Sequence, residues 1–182
     1  ALLDPTPRTM PDLARLLLLS CPGLLATTVA AQCQPVWLPG FGWNGTDNTV
    51  RVATNWDPDG PGPLPAVTVV AGDFQAAGQT IAQRIAILDP VTGNATPFGG
   101  GIDGPVLALA ALPNGDLIAG GVFTSADGVP TANVARWNGS WNAMGLGTSA
   151  TVRALTVLSN GDLVAGGDFS SAGGGAAARP PR

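Results

Sequence analysis

From residue 48 onward the apolar residues fall in short runs bounded by Gly, Pro, Asn and Asp. That pattern predicts strands and turns rather than amphipathic helices. Val106 to Leu112 is continuously apolar and of strand length, which suits a strand covered on both faces. Pro113-Asn114-Gly115-Asp116 is a tight turn. Its Asn-Gly pair predicts type I′ geometry, in which both central residues take positive φ. Leu117-Ile118-Ala119 returns as a second strand, and Gly120-Gly121 leaves room for another backbone. Thr124 to Thr131 reads as a polar loop, Asn133 to Trp137 as a third strand, Asn138-Gly139 as a second turn, and Trp141 to Met144 as a fourth strand. Two such hairpins form a four-stranded antiparallel sheet. One sheet of this kind cannot cover both its faces, so it predicts stacked neighbours.

The neighbours are legible as internal copies. VLALAALPNGDLIAGG over 106–121 matches VRALTVLSNGDLVAGG over 152–167, at an offset of 46 residues. Asn160, Gly161, Asp162, Gly166 and Gly167 thereby repeat Asn114, Gly115, Asp116, Gly120 and Gly121. A more divergent copy precedes them: Ala71-Gly72-Asp73-Phe74 parallels Gly120-Gly121-Val122-Phe123 and Gly166-Gly167-Asp168-Phe169. A four-stranded unit recurring at about 46 residues has the period of a propeller blade. The expected fold class is all-β, a partial β-propeller.

The Gly-Gly after an apolar strand, followed by Trp137 and Trp141, resembles a kelch-type blade. The run Leu88-Asp89-Pro90-Val91-Thr92-Gly93-Asn94 resembles the turn after that blade's third strand. The resemblance covers roughly residues 48–170 and departs from the kelch pattern where Trp137 or Leu88 replaces the usual Tyr and Phe98 the usual Trp. It is similar to blade repeats of secreted bacterial proteins of unassigned role, and implies a fold more than a chemistry. About two and a half units fit between Thr49 and Phe169, whereas closed propellers use about four to eight blades. Unpaired sheet edges are therefore expected. Over 176–182 the AAARPPR segment replaces a third strand and is expected to be irregular.

The N-terminal pattern is different. Met10 to Ala31 has one Arg, an apolar stretch and small residues before a cut after Ala31, which reads as a helical secretory signal peptide. Residues 1–9 read as upstream sequence, and 32–48 as a lead-in to the repeat region over 49–175. The apolar run is shorter than the ~18–20 residues a bilayer span needs, and Pro22-Gly23 interrupts it. No stable membrane span is expected after cleavage, and the product is expected to be secreted, periplasmic or on the cell surface. Cys21 would leave with the signal, so Cys33 would have no intramolecular partner.

Composition narrows the chemistry. Charged residues are 11% of the chain, the net charge is −4, and all eight cations are Arg. A basic face for nucleic acid cannot be built from this set. His and Tyr are absent, which removes the commonest general base and the commonest nitrogen metal ligand. Trp56, Asp57 and Asp59 lie in or beside a Pro-stiffened variable loop and are the candidate ligand-binding residues; Asp57 and Asp59 read as loop chemistry or, alternatively, as cation ligands. Trp137 and Trp141 read as packing between blades, with stacking on a sugar as the alternative. Asp116 and Asp162 recur in the Asn-Gly-Asp turns and read as turn chemistry. No catalytic constellation, cofactor or metal is predicted. The leading reading is a non-catalytic module that binds or scaffolds a protein or glycan ligand. A fragment of a propeller-bearing, polysaccharide-active enzyme and a structural surface or adhesion repeat are the alternatives.

Overall fold

A computed structural model of the chain describes residues 45–89 and 92–177. The signal-peptide reading, both cysteines, Trp37, Trp43 and residues 178–182 lie outside the described residues. The described part is all-β, and every strand pairing in it is antiparallel.

The first sheet is built from β1 (Val50–Trp56), β2 (Val67–Gly72), β5 (Ile85–Leu88) and β6 (Ala95–Pro97), in that spatial order. A small hairpin of β3 (Ala76–Ala77) and β4 (Thr80–Ile81) is inserted between its second and third strands. The second sheet has the same order: β7 (Val106–Ala111), β8 (Leu117–Gly121), β11 (Val134–Trp137) and β12 (Trp141–Ala143). Its inserted hairpin is β9 (Ser125–Ala126) with β10 (Val129–Pro130). The segment expected as a polar loop over 124–131 thus folds back on itself, because Asp127 and Gly128 both take positive φ and close a tight reversal. The third sheet is a two-stranded ladder of β13 (Val152–Val157) and β14 (Leu163–Gly167), followed by the hairpin β15 (Ser171–Ala172) and β16 (Gly175–Ala176). Ala176, expected to be irregular, pairs with Ser171.

The turn geometry also differs from expectation. Gly115 and Gly161 have φ of 88° and 87°, but neither Asn114 nor Asn160 is in the positive-φ region. Leu112 accepts from the Gly115 amide at 3.1 Å, and its own amide donates to Asp116 at 2.8 Å. This is a type I turn followed by a left-handed glycine, the three-residue hairpin connection, rather than type I′. The asparagine is used through its side chain. Asn114 Oδ1 accepts the Asp116 amide at 3.2 Å and its Nδ2 donates to the Asp116 carboxylate at 2.6 Å. The same pair of bonds, at 3.0 and 2.8 Å, joins Asn160 to Asp162.

Each first strand carries a bulge at its second residue. The register shifts between Val50 and Val52, between Val106 and Ala108, and between Val152 and Ala154. The extra residue (Arg51, Leu107 or Arg153) bends the strand. Arg51 pairs with Asp73 at 2.6 Å and Arg153 with Asp168 at 2.7 Å. These are exposed pairs, so they add little stability. The glycines themselves are dictated by packing: a Cβ on Gly121 would overlap the Pro105 carbonyl oxygen, and one on Gly120 would come within 2.6 Å of Val152 Cγ1.

The sheets stack face to face. One core lies between the first two sheets, with Trp56, Val69, Ile85 and Phe98 facing Leu109, Leu117, Ala135 and Trp141. A second lies between the second and third sheets, with Ala110, Ile118 and Val134 against Val152, Leu155, Leu163 and Ala165. The continuous apolar run of β7 follows from this position between two cores. Backbone approach between sheets is closest for the first strands, β1 to β7 and β7 to β13.

Two further devices join the units. Ile102 donates its amide to Gln83 at 2.9 Å and accepts from Arg84 Nη1 at 3.1 Å. Thr148 donates to Ala132 at 2.9 Å and accepts from Asn133 Nδ2 at 3.0 Å. Both residues also bridge forward, to Ala126 and Ala172 respectively. The second device is an acceptor side chain that holds the inserted hairpin. Asp47 Oδ1 takes the amides of Gln75 and Ala76, Asp103 Oδ1 those of Thr124 and Ser125, and Ser149 Oγ those of Ser170 and Ser171.

Candidate functional site

The two Asn-Gly turns of the second sheet and the end of β1 meet at one end of the stack. They enclose a cleft of about 300 Å³ lined by Trp56, Pro58, Asn114, Gly115, Asp116, Trp137, Asn138 and Gly139. Trp56 is the last residue of β1, and is 6% exposed rather than displayed on a loop. Its side chain is drawn inward because its indole N–H finds a buried acceptor, donating to the Gly115 carbonyl at 2.7 Å. That bond ties the first sheet to the turn of the second. Trp56, expected in or beside the variable loop, thus ends β1, with its ring forming a wall of the cleft and its nitrogen committed.

Behind the cleft four rings interlock. Phe98 lies 5.2 Å from Trp56, 4.8 Å from Trp137 and 5.7 Å from Trp141, and Trp137 and Trp141 are 5.5 Å apart. The edge-on tilts, between 56° and 67°, are those that oppose positive ring edges to negative faces. Trp141 is buried, whereas Trp137 is half-buried and reaches the cleft. Phe98 sits at the centre, and its apolar periodicity alone gave no sign of that: it follows a three-residue strand and precedes a glycine run.

The polar groups of the cleft are largely engaged with one another. Asp116 is buried and pairs with Arg136 at 2.5 Å in addition to its two bonds with Asn114. Asn138 Oδ1 accepts from Asn142 Nδ2 at 2.8 Å. A carboxylate held by a guanidinium is poorly placed to act as a general base. Asp57 and Asp59 lie on the loop beyond Trp56. Asp57 Oδ1 accepts the Asp59 amide at 3.3 Å, and Asp59 Oδ2 accepts the Leu64 amide at 3.2 Å. Both carboxylates thus shape the loop that brings Pro58 and Gly60 against Pro113 and Gly115. Among the described residues, no three His, Cys, Asp or Glu side chains gather into a group that could hold a metal ion.

The remaining predicted positions lie elsewhere. Gly120 and Gly121 are buried at the far end of β8, while Gly166 and Gly167 end β14 in exposed positions. Asn160, Gly161 and Asp162 form the exposed turn of the third sheet. Asp73 and Asp168 hold the bulge arginines. The hydrogen bond from the Arg51 guanidinium keeps the Asp73 carboxyl below the ordinary carboxylate range, and Arg153 does the same for Asp168. The hairpin-holding acceptors Asp47 and Asp103 went unnoticed in the sequence. The amides of Ala76 and Gln75 lower the pKa of Asp47. For Asp103, burial pushes the carboxyl up, but the Thr124 hydroxyl and the Ser125 and Thr124 amides together outweigh it.

Compared with protein-family models, with curated proteins and with solved structures, the chain matches none.

Proposed function

We propose that this chain is part of an exported, non-catalytic, kelch-like β-propeller whose task is to bind a ligand at the turn end of its blades. The observation that carries the reading is the placement of the first strands: β1, β7 and β13 each lead a sheet and pack beside one another, as inner strands do around a propeller axis. The cleft at Trp56, Asn114 and Trp137 supplies the binding chemistry. A half-buried indole offers an apolar face, and turn amides at its rim offer hydrogen bonds, a combination suited to the apolar faces and hydroxyl edges of a saccharide. The engagement of Asp116 by Arg136 favours recognition over acid–base chemistry.

The test is a titration of the chain with soluble oligosaccharides, followed by tryptophan fluorescence. Saturable quenching that disappears in Trp137→Leu, with the variant still folded by far-UV circular dichroism at the assay temperature, supports the reading. Quenching that survives Trp137→Leu, or release of reducing sugar from a polysaccharide, refutes it.

A further inference from the structure

Three Asn-Gly pairs lie wholly within the described residues, at 114–115, 138–139 and 160–161. The pair is chemically labile. Glycine carries no side chain to keep its amide nitrogen from reaching back to the asparagine Cγ. When it attacks, the N–Cγ bond forms and the Cγ–Nδ2 bond breaks. The side-chain nitrogen leaves as ammonia, carrying the proton that the glycine nitrogen gives up. Water then opens the five-membered imide at either carbonyl, to aspartate or to isoaspartate. One water enters, one ammonia departs, and nothing is oxidised or reduced. The fold treats the three pairs differently. We infer that Asn138-Gly139 is a self-modifying site: the folded chain converts Asn138 to aspartate and isoaspartate, with Gly139 as nucleophile and Asn142 activating the carbonyl, while Asn114 and Asn160 are protected.

The nucleophiles differ first. The Gly115 amide donates to the Leu112 carbonyl at 3.1 Å and the Gly161 amide to Leu158 at 2.9 Å, so each must leave its turn before it can attack. The Gly139 amide donates to no protein group among the described residues. The side chains differ in the same sense. Asn114 and Asn160 are clamped at both ends, each accepting the amide of its following aspartate and donating Nδ2 to that carboxylate. The leaving nitrogen is therefore held. Asn138 is held at its oxygen alone: Oδ1 accepts from Asn142 Nδ2 at 2.8 Å, and the same nitrogen donates to the Ser140 carbonyl at 2.9 Å. A donor on the oxygen that becomes negative in the tetrahedral intermediate stabilises that intermediate. Space differs too. A Cβ on Gly115 would meet the Pro58 carbonyl oxygen at 2.6 Å, whereas nothing lies within 4 Å of one on Gly139. The flat imide can form there without displacing a neighbour, and Asn138 and Gly139 are both exposed to the water that opens it.

The site bears on the cleft, because Asn138 and Gly139 line it together with Trp137. Conversion places a new carboxylate on the rim. Isoaspartate also adds a methylene to the main chain of the three-residue connection between the paired Trp137 and Trp141. The chemistry belongs to the chain itself and stands whether or not the cleft takes a saccharide.

The experiment incubates the full 182-residue chain in mildly alkaline buffer, folded and in concentrated urea, and quantifies conversion by peptide mass spectrometry over time. Trypsin separates the sites, since cuts after Arg84, Arg136 and Arg153 leave Asn114, Asn138 and Asn160 in three different peptides. In the folded chain Asn138 is expected to convert at least about tenfold faster than either of the others, whose attacking amides must first give up a hydrogen bond. In urea the three rates are expected to converge. Asn142→Leu is expected to slow conversion of Asn138 at least about threefold in the folded chain by removing the donor to Oδ1. The inference is overturned if Asn114 or Asn160 keeps pace with Asn138 in the folded chain, if the preference for Asn138 persists undiminished in urea, or if Asn142→Leu converts as fast as the parent. Conversion is read by mass alone, so failure of the saccharide titration leaves these outcomes intact.

Discussion

Replacing Trp56 with Phe isolates one bond. The indole N–H donates to the Gly115 carbonyl at 2.7 Å in a buried setting, and Phe keeps the ring while deleting the donor. A buried carbonyl left without its partner costs about 1–3 kcal/mol, and the smaller ring adds roughly 1 kcal/mol of imperfect filling beside Phe98. The expected loss is about 2–4 kcal/mol, which for a domain of this size lowers Tm by roughly 4–16 °C. Urea unfolding followed by far-UV circular dichroism measures it, with Ile81→Ala as the comparison because Ile81 is 74% exposed and contributes within about 0.5 kcal/mol. If Trp56→Phe unfolds within 0.5 kcal/mol of the parent chain, the tie between the first sheet and the second sheet's turn contributes no stability, and the account of why Trp56 is buried fails.

Arg136→Met leaves the buried Asp116 carboxylate without its guanidinium and is expected to cost about 1–3 kcal/mol in the same urea assay. Arg153→Met, which breaks the exposed pair with Asp168, is expected to leave the unfolding curve unchanged; equal losses for the two would contradict the burial argument. The pH dependence follows from Asp47, Asp73, Asp103 and Asp168, whose carboxyls all titrate below their unfolded value of 3.8. A lowered folded pKa contributes stability above the unfolded pKa and loses it as pH falls through the folded one. Tm is therefore expected to be flat from neutral pH to about 5 and to drop below about 4, and the drop is expected to shrink in Asp103→Ala, read by calorimetry across pH 2–7.

The strands of the second sheet and the position of its glycine pair were legible in the sequence because period and punctuation agreed: an apolar run, an Asn-Gly-Asp turn, a return strand and Gly-Gly. The turn type was not. Asn-Gly is shared by two hairpin geometries, and the choice of a left-handed glycine alone depends on where Leu112 and Asp116 are held by the ladder. Trp56 was misplaced because the prolines after it signal a loop, while its burial is decided by an acceptor 59 residues away. The hairpin-holding acceptors stayed hidden for a different reason: the role passes from Asp47 and Asp103 to Ser149, so one job is written in two residue types. The long loop after Trp56 also breaks the 46-residue spacing between the first two.

The joints at Ile102 and Thr148 are made mostly from main-chain atoms, with one side-chain donor on each. Main-chain joinery is indifferent to the identity of the residue that carries it, as the exchange of Ile for Thr already illustrates. A lineage that duplicates one such segment of its gene obtains a neighbour that fits on arrival, before any substitution has been selected. The parts left to diversify are then the turns and inserted loops, where a change alters what the molecule touches without disturbing how its pieces are hinged.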